Sequence, residues 1–221
     1  MLRIFIRSLP GNIVHSFRGR KFFFLLAAIA CTFAIVRTGT DWNYLLWVRD
    51  PHLNKMFFPA VIVGAFVPIS LPLFLVVVGR LFNAERTYIV GWALGQAALI
   101  GSITSSVLKA FTGRLQPDLT NLLVDSSHGF QFGFMQHGIF WGWPSSHTTI
   151  AFAMAVTLCY LFPRHRHISF YSIIYAFYVG IGVSLSIHWL SEFIAGAFIG
   201  TAIGMTVGPF YRKHMLRVGS K

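Results

Sequence analysis

Three short stretches carry side chains able to do chemistry. LKAFTGRLQPD, residues 108–118, brings Lys109 and Arg114 close together. Two neighbouring cations suggest an anion site, with Arg as a fork of donors and Lys as a point charge; a snorkelling pair at a helix end is the plainer alternative. WPSSHTTIAF, residues 143–152, follows Pro144 with Ser145 and Ser146, both good N-cap residues. A helix is expected to start there, with unpaired N–H groups and a positive dipole end that suit an anion. His147 stands in its first turn, where a hydrogen-bonded core histidine is the competing reading. SIHWLSEFIAG, residues 186–196, separates His188 and Glu192 by four positions, so on a helix they share a face. A carboxylate on one imidazole nitrogen fixes the tautomer and leaves the other nitrogen as a nucleophile or base. Each stretch is weak alone. Together, two cations, a helix N-terminus, a paired histidine and a second histidine are the parts for phosphoryl transfer through a phosphohistidine.

The elements that hold these parts are membrane spans. Of the 221 residues, 55% are hydrophobic and 11% charged, and the mean hydropathy of +0.65 is far from that of an ordinary soluble domain. Apolar runs recur at lengths suited to about 30 Å of hydrocarbon: residues 22–36, 57–79, 88–111, 145–162, 168–187 and 191–211. The expected fold is an all-α integral membrane protein, one domain over 1–221, with six transmembrane helices in one bundle and both termini cytoplasmic. A cleaved signal peptide is the alternative for the first run, but no small-residue cleavage site follows it.

Charge orients the bundle. With six spans, the side bearing the termini holds 13 of the 18 Lys and Arg against Glu85 alone, and the remaining five cations are balanced by five carboxylates on the other side. The net charge of +12 therefore lies on one face, which the positive-inside rule makes cytoplasmic. All three chemical stretches fall at the opposite, outer end. Basicity here reads as topology and contact with anionic lipid; no nucleic-acid motif accompanies it, and nucleic acid is not an expected partner. Cys31 and Cys159 lie within spans and read as small core residues. The outer loop 112–144 contains FQFGFMQHGIFWGW, aromatic enough to lie at headgroup level.

At these residues the chain resembles the type 2 phosphatidic acid phosphatase superfamily, membrane lipid phosphatases whose soluble relatives include vanadium haloperoxidases. The family pattern is Lys, six residues, Arg-Pro; then Pro-Ser-Gly-His; then Ser-Arg, five residues, His, three residues, Asp. Lys109 with Pro117 matches the first block, Pro144-Ser145-Ser146-His147 the second, and His188 with Glu192 the end of the third. The resemblance runs from about Thr40 to Gly200, including TDWNYLLWVRDPHLNKMFF, which looks like the family's opening outer segment. Four positions depart from it. Gln116 stands in place of the first arginine, Ser146 in place of glycine, Ile181-Gly182 in place of Ser-Arg, and Glu192 in place of Asp. Two phosphate-binding arginines are thus missing, and Arg114 is the expected substitute.

The resemblance implies a mechanism, residue by residue. His188 attacks phosphorus, Glu192 orients its ring, and His147 protonates the leaving oxygen and then activates water. Lys109, Arg114, Gln116, Ser145 and Ser146 bind the phosphate. No metal or cofactor is expected, and Asp and Glu do not cluster with the histidines as a metal site would require. His128 and His137 are left unassigned. The expected partners are a phosphorylated lipid substrate and membrane lipids, with no obligate protein partner. The expected location is a bacterial inner membrane with the site facing the periplasm. Two alternatives stand: a lipid phosphotransferase using the same residues, and a degenerate, non-catalytic protein that binds or moves lipids.

Overall fold

A computed structural model describes residues 1–48, 50–117 and 123–218. Arg49, Asp118 and Lys221, which entered the charge balance, lie outside the described residues. Among these residues there are eight α-helices and no strand: α1 (Leu2–Ser16), α2 (Phe22–Arg37), α3 (Thr40–Val48), α4 (Pro51–Leu81), α5 (Glu85–Thr112), α6 (Ser146–Leu161), α7 (Arg166–Ser184) and α8 (Leu190–Val218).

Five segments are long and apolar enough to cross a bilayer: Gly19–Arg37, His52–Leu81, Glu85–Thr112, Arg166–Ser184 and Leu190–Val218. The protein is thus an all-helical membrane protein. The remaining expected span, 145–162, corresponds to α6, which has only 16 residues, about 24 Å at 1.5 Å per residue. That is short of a full hydrocarbon crossing. It is packed on α8, α7, α5 and α4, with Ala151, Ala153, Ala155 and Met154 buried.

The most extensive packing in the bundle, α6 on α8, follows from a stripe of Gly196, Gly200, Gly204 and Gly208 along α8. An added Cβ on Gly196 would meet Ser145 O and Thr148 Cβ at 2.9 Å, and one on Gly204 would meet Val156 Cβ at 2.6 Å. Small residues four apart let two backbones approach where lipid gives no hydrophobic drive to association. By contrast α4 turns Phe58, Ile62, Phe66, Ile69, Leu73 and Phe74 outward, as a helix facing lipid should.

Helices α1 and α3 lie outside the expected spans. α1 is pinned by a buried amide: Gln96 of α5 accepts from Asn12 Nδ2 at 2.7 Å and donates to Phe5 O at 2.8 Å and Ser8 Oγ at 3.0 Å. α3 brings one carboxylate, Asp41, to complete burial.

Candidate active site

His188 lies in the turn between α7 and α8, in the gap between the expected spans 168–187 and 191–211. The turn forms because His188 N and Ile187 N both donate to Val183 O, at 2.9 Å each. The pairing with Glu192 persists, since Glu192 occupies the first turn of α8. His188 Nδ1 lies 2.5 Å from Glu192 Oε2, with the two side chains 4% and 0% exposed. A carboxylate only accepts, so Nδ1 carries the hydrogen and Nε2 keeps its lone pair. Burial holds the His188 imidazole below its ordinary pKa of 6.5, against the opposing pull of Glu192. The ring is therefore neutral, the form able to attack.

His147 faces it from the first turn of α6, with ring centroids 6.1 Å apart and planes at 62°. The expected cap is present: Ser145 Oγ accepts from Thr148 N at 3.4 Å. Ser145 N donates to the Glu192 carbonyl at 3.2 Å, which ties the start of α6 to the start of α8. Ser145 N and the accepting side of its Oγ are thus engaged within the protein. The first-turn amides left without a helical partner are those of Ser146 and His147. His147 Nδ1 is buried without a hydrogen-bond partner.

Lys109, 3% exposed in the last turn of α5, donates to Phe140 O at 2.9 Å. It lies close enough to Glu192 and His188 for its charge to act on both. Gln116 sits beside the turn that carries His188, since Trp189 Nε1 donates to the neighbouring Leu115 O at 2.8 Å. Both amide atoms of Gln116 are buried without partners. Orphaned donors and acceptors of this kind are expensive unless something fills them. Gly182, which resemblance aligns with an arginine, has no room for one: a Cβ there would collide with Ala60 of α4.

Arg114 is placed differently from an anion-facing group. It is 0% exposed, and its Nη2 donates to Asp41 Oδ2 and Ser127 O, both at 2.7 Å. Nη1 donates to Ser191 Oγ at 2.8 Å and lies 3.6 Å from Glu192 Oε1. Asp41 and Ser191 went unnoticed in the sequence. A lone acid in an aromatic segment is their one signal, and it does not name its partner. Of the unassigned histidines, His128 is exposed beside Asp125, whereas His137 packs near Gly113 at the end of α5 with Nε2 buried and unpartnered. Among the described residues, no three His, Cys, Asp or Glu group as metal ligands would.

A cavity of 360 Å³ runs from Ser146 and His147 down between α4, α5 and α6 to Gly95, walled by Pro68, Ile69 and Leu99. Its lining is mostly apolar, and Ile69 is 72% exposed on the lipid-facing side.

Three comparisons bear on this architecture. No curated protein matches the chain. Among solved structures, the "first transmembrane PAP2 type phosphatidylglycerolphosphate phosphatase from Bacillus subtilis" is similar, with a TM-score of 0.65 over 87% of this chain and 96% of that one. At 21% identity that likeness speaks for the fold. The family model described as "PAP2 superfamily" matches residues 90–215, more than half of the chain and all three stretches that build the site. The chain is therefore an integral membrane protein that belongs to the PAP2 superfamily.

Proposed function

We propose that the protein is a metal-independent phosphatase that removes phosphate from a phosphorylated membrane lipid through a phosphohistidine, at a site on the outer face of the membrane. His188 Nε2 attacks phosphorus and the bond to the leaving oxygen breaks, with His147 supplying the proton. Water then attacks the phosphohistidine with His147 as base, releasing phosphate and restoring His188. Lys109, the Gln116 amide and the free first-turn N–H groups at Ser146 and His147 neutralise charge on the equatorial oxygens.

The observation that carries this reading is the buried, carboxylate-paired His188 facing His147, with ring centroids 6.1 Å apart. A lipid substrate is favoured by the apolar cavity that ends on His147, because the leaving group departs from the side where the proton donor stands. An outer-face site, periplasmic or lumenal, is favoured by the +12 charge, which topology reads as cytoplasmic at the other end.

The test is phosphate release by the purified protein in detergent, with EDTA present, across phosphatidic acid, phosphatidylglycerophosphate, an isoprenyl diphosphate and lipid A phosphates. Activity that survives EDTA and disappears in His188→Ala is expected. Failure to release phosphate from any of them, by a folded protein that still binds them, would replace this reading with that of a lipid-binding protein.

A further inference from the structure

Arg114 raises a question that phosphate binding does not answer. A fully buried guanidinium needs partners for its charge and donors, and here it has them inside the protein. Asp41, Ser127 and Ser191 take three N–H bonds, Glu192 lies 3.6 Å from Nη1, and the rings of Phe130 and Trp189 cover the guanidinium at 4.6 and 5.2 Å. Nε is its one nitrogen without a partner, and it is buried.

Asp41 is bound as tightly. Its Oδ1 accepts from Ser191 N at 2.8 Å and its Oδ2 from Ser191 Oγ at 2.5 Å, beside the Arg114 bond. Ser191 is the second residue of α8, so Asp41 on α3 satisfies an orphan N–H of the α8 N-terminus and complements its dipole. Glu192 is the next residue. Its Oε2 holds His188, while its Oε1 has no hydrogen bond and lies in ion-pair range of Arg114.

We propose that Asp41, Arg114 and Ser191 are positioning residues that set and balance the Glu192 carboxylate behind His188, and that Arg114 does not contact the substrate phosphate. Asp41 fixes where α8 starts, hence the Glu192 backbone; Arg114 attracts the far oxygen and turns the near one to His188 Nδ1. The inference rests on the phosphatase reading for its kinetic test alone. The charged and titratable groups around His188 are Glu192 on α8, Arg114 and Lys109 from α5 and its end, and His147 on α6.

The experiment compares full-length protein in detergent with Arg114→Ala, Arg114→Lys, Asp41→Asn and Ser191→Ala. Each is measured for kcat, KM and inhibition by vanadate, a phosphate mimic, and for the pH profile of kcat/KM. Losing one side of a charge-assisted contact is expected to lower kcat by about 10- to 100-fold in Arg114→Ala. KM and vanadate inhibition should stay within about threefold, because no phosphate contact is lost. The acid limb should move slightly to higher pH, since burial is the main cause of the lowered His188 pKa and the Arg114 cation adds to it. Ser191→Ala, which deletes one hydroxyl, shifts the profile the same way by less and stands in if Arg114→Ala fails to fold. A rise of tenfold or more in KM and in the vanadate inhibition constant, with kcat and the acid limb unchanged, overturns the proposal. If the wild type itself releases no phosphate, the phosphatase reading has failed, and NMR decides this proposal alone: the strongly hydrogen-bonded Nδ1 proton of His188 should be seen in the wild type and lost in Ser191→Ala or Arg114→Ala. An unchanged resonance in both overturns it.

Discussion

Glu192→Asp puts back the acid that the family pattern has at this position, and simple similarity would make it harmless. The geometry says otherwise. His188 Nδ1 and Glu192 Oε2 are 2.5 Å apart, and shortening the side chain by one carbon–carbon bond withdraws the carboxylate by roughly 1.5 Å. The separation then opens to about 4 Å, outside hydrogen-bond range. The side chain cannot follow, because Ser191 is held by Asp41 and the Glu192 carbonyl accepts from Ser145 N at 3.2 Å. Loss of a charge-assisted hydrogen bond is worth about 1.5 to 3 kcal/mol, which corresponds to roughly 10- to 150-fold in rate. The variant should therefore show that fall in kcat, with KM nearly unchanged and a thermal midpoint within a few degrees of the wild type. Initial-rate assays of phosphate release over a range of lipid concentrations measure it. A Glu192→Asp protein within threefold of wild-type kcat would refute the idea that this backbone is built for the longer acid.

Three other outcomes are expected. Gly95→Leu should extend a side chain into the cavity without strain, since a Cβ there meets nothing closer than Pro72 Cβ at 3.6 Å; KM should rise about tenfold or more for long-chain substrates and stay level for a short-chain phosphate, and equal effects on both would refute the assignment of the cavity to the lipid chain. Gly200→Ala should lower stability by about 1 to 3 kcal/mol, as overpacking does, because its Cβ would press on Thr149 O and lie 2.8 Å from Phe152 Cβ; Gly95→Ala is the control, and equal melting temperatures for the two variants would contradict the packing account. Burial lowers the His188 pKa below 6.5, and protonation removes the attacking lone pair, so the acid limb of kcat/KM should fall below pH 6.5; a limb at pH 7 or above would count against a buried neutral nucleophile.

Local patterns made much of this protein legible from its residues. Apolar runs reveal spans because a bilayer demands length, and the Ser145 cap and the His188–Glu192 spacing are short-range geometry that chain connectivity nearly imposes. The six-span expectation met an α6 too short to qualify by length, since a helix sheathed by its neighbours need not match the hydrocarbon by itself. The Gly196-to-Gly208 stripe carries its own period, but its meaning depends on α6 lying against it. Arg114 shows the limit best. Beside Lys109 in the chain it reads as half of an anion site. Its partners come instead from Asp41, 73 positions away, and Ser191, 77 away. A guanidinium goes where its charge and donors are best met, and in a bundle those acceptors are supplied by helices remote in sequence. Residue types and spacing thus suggested a chemistry, while the packing of α3, α5 and α8 decided which side chains meet.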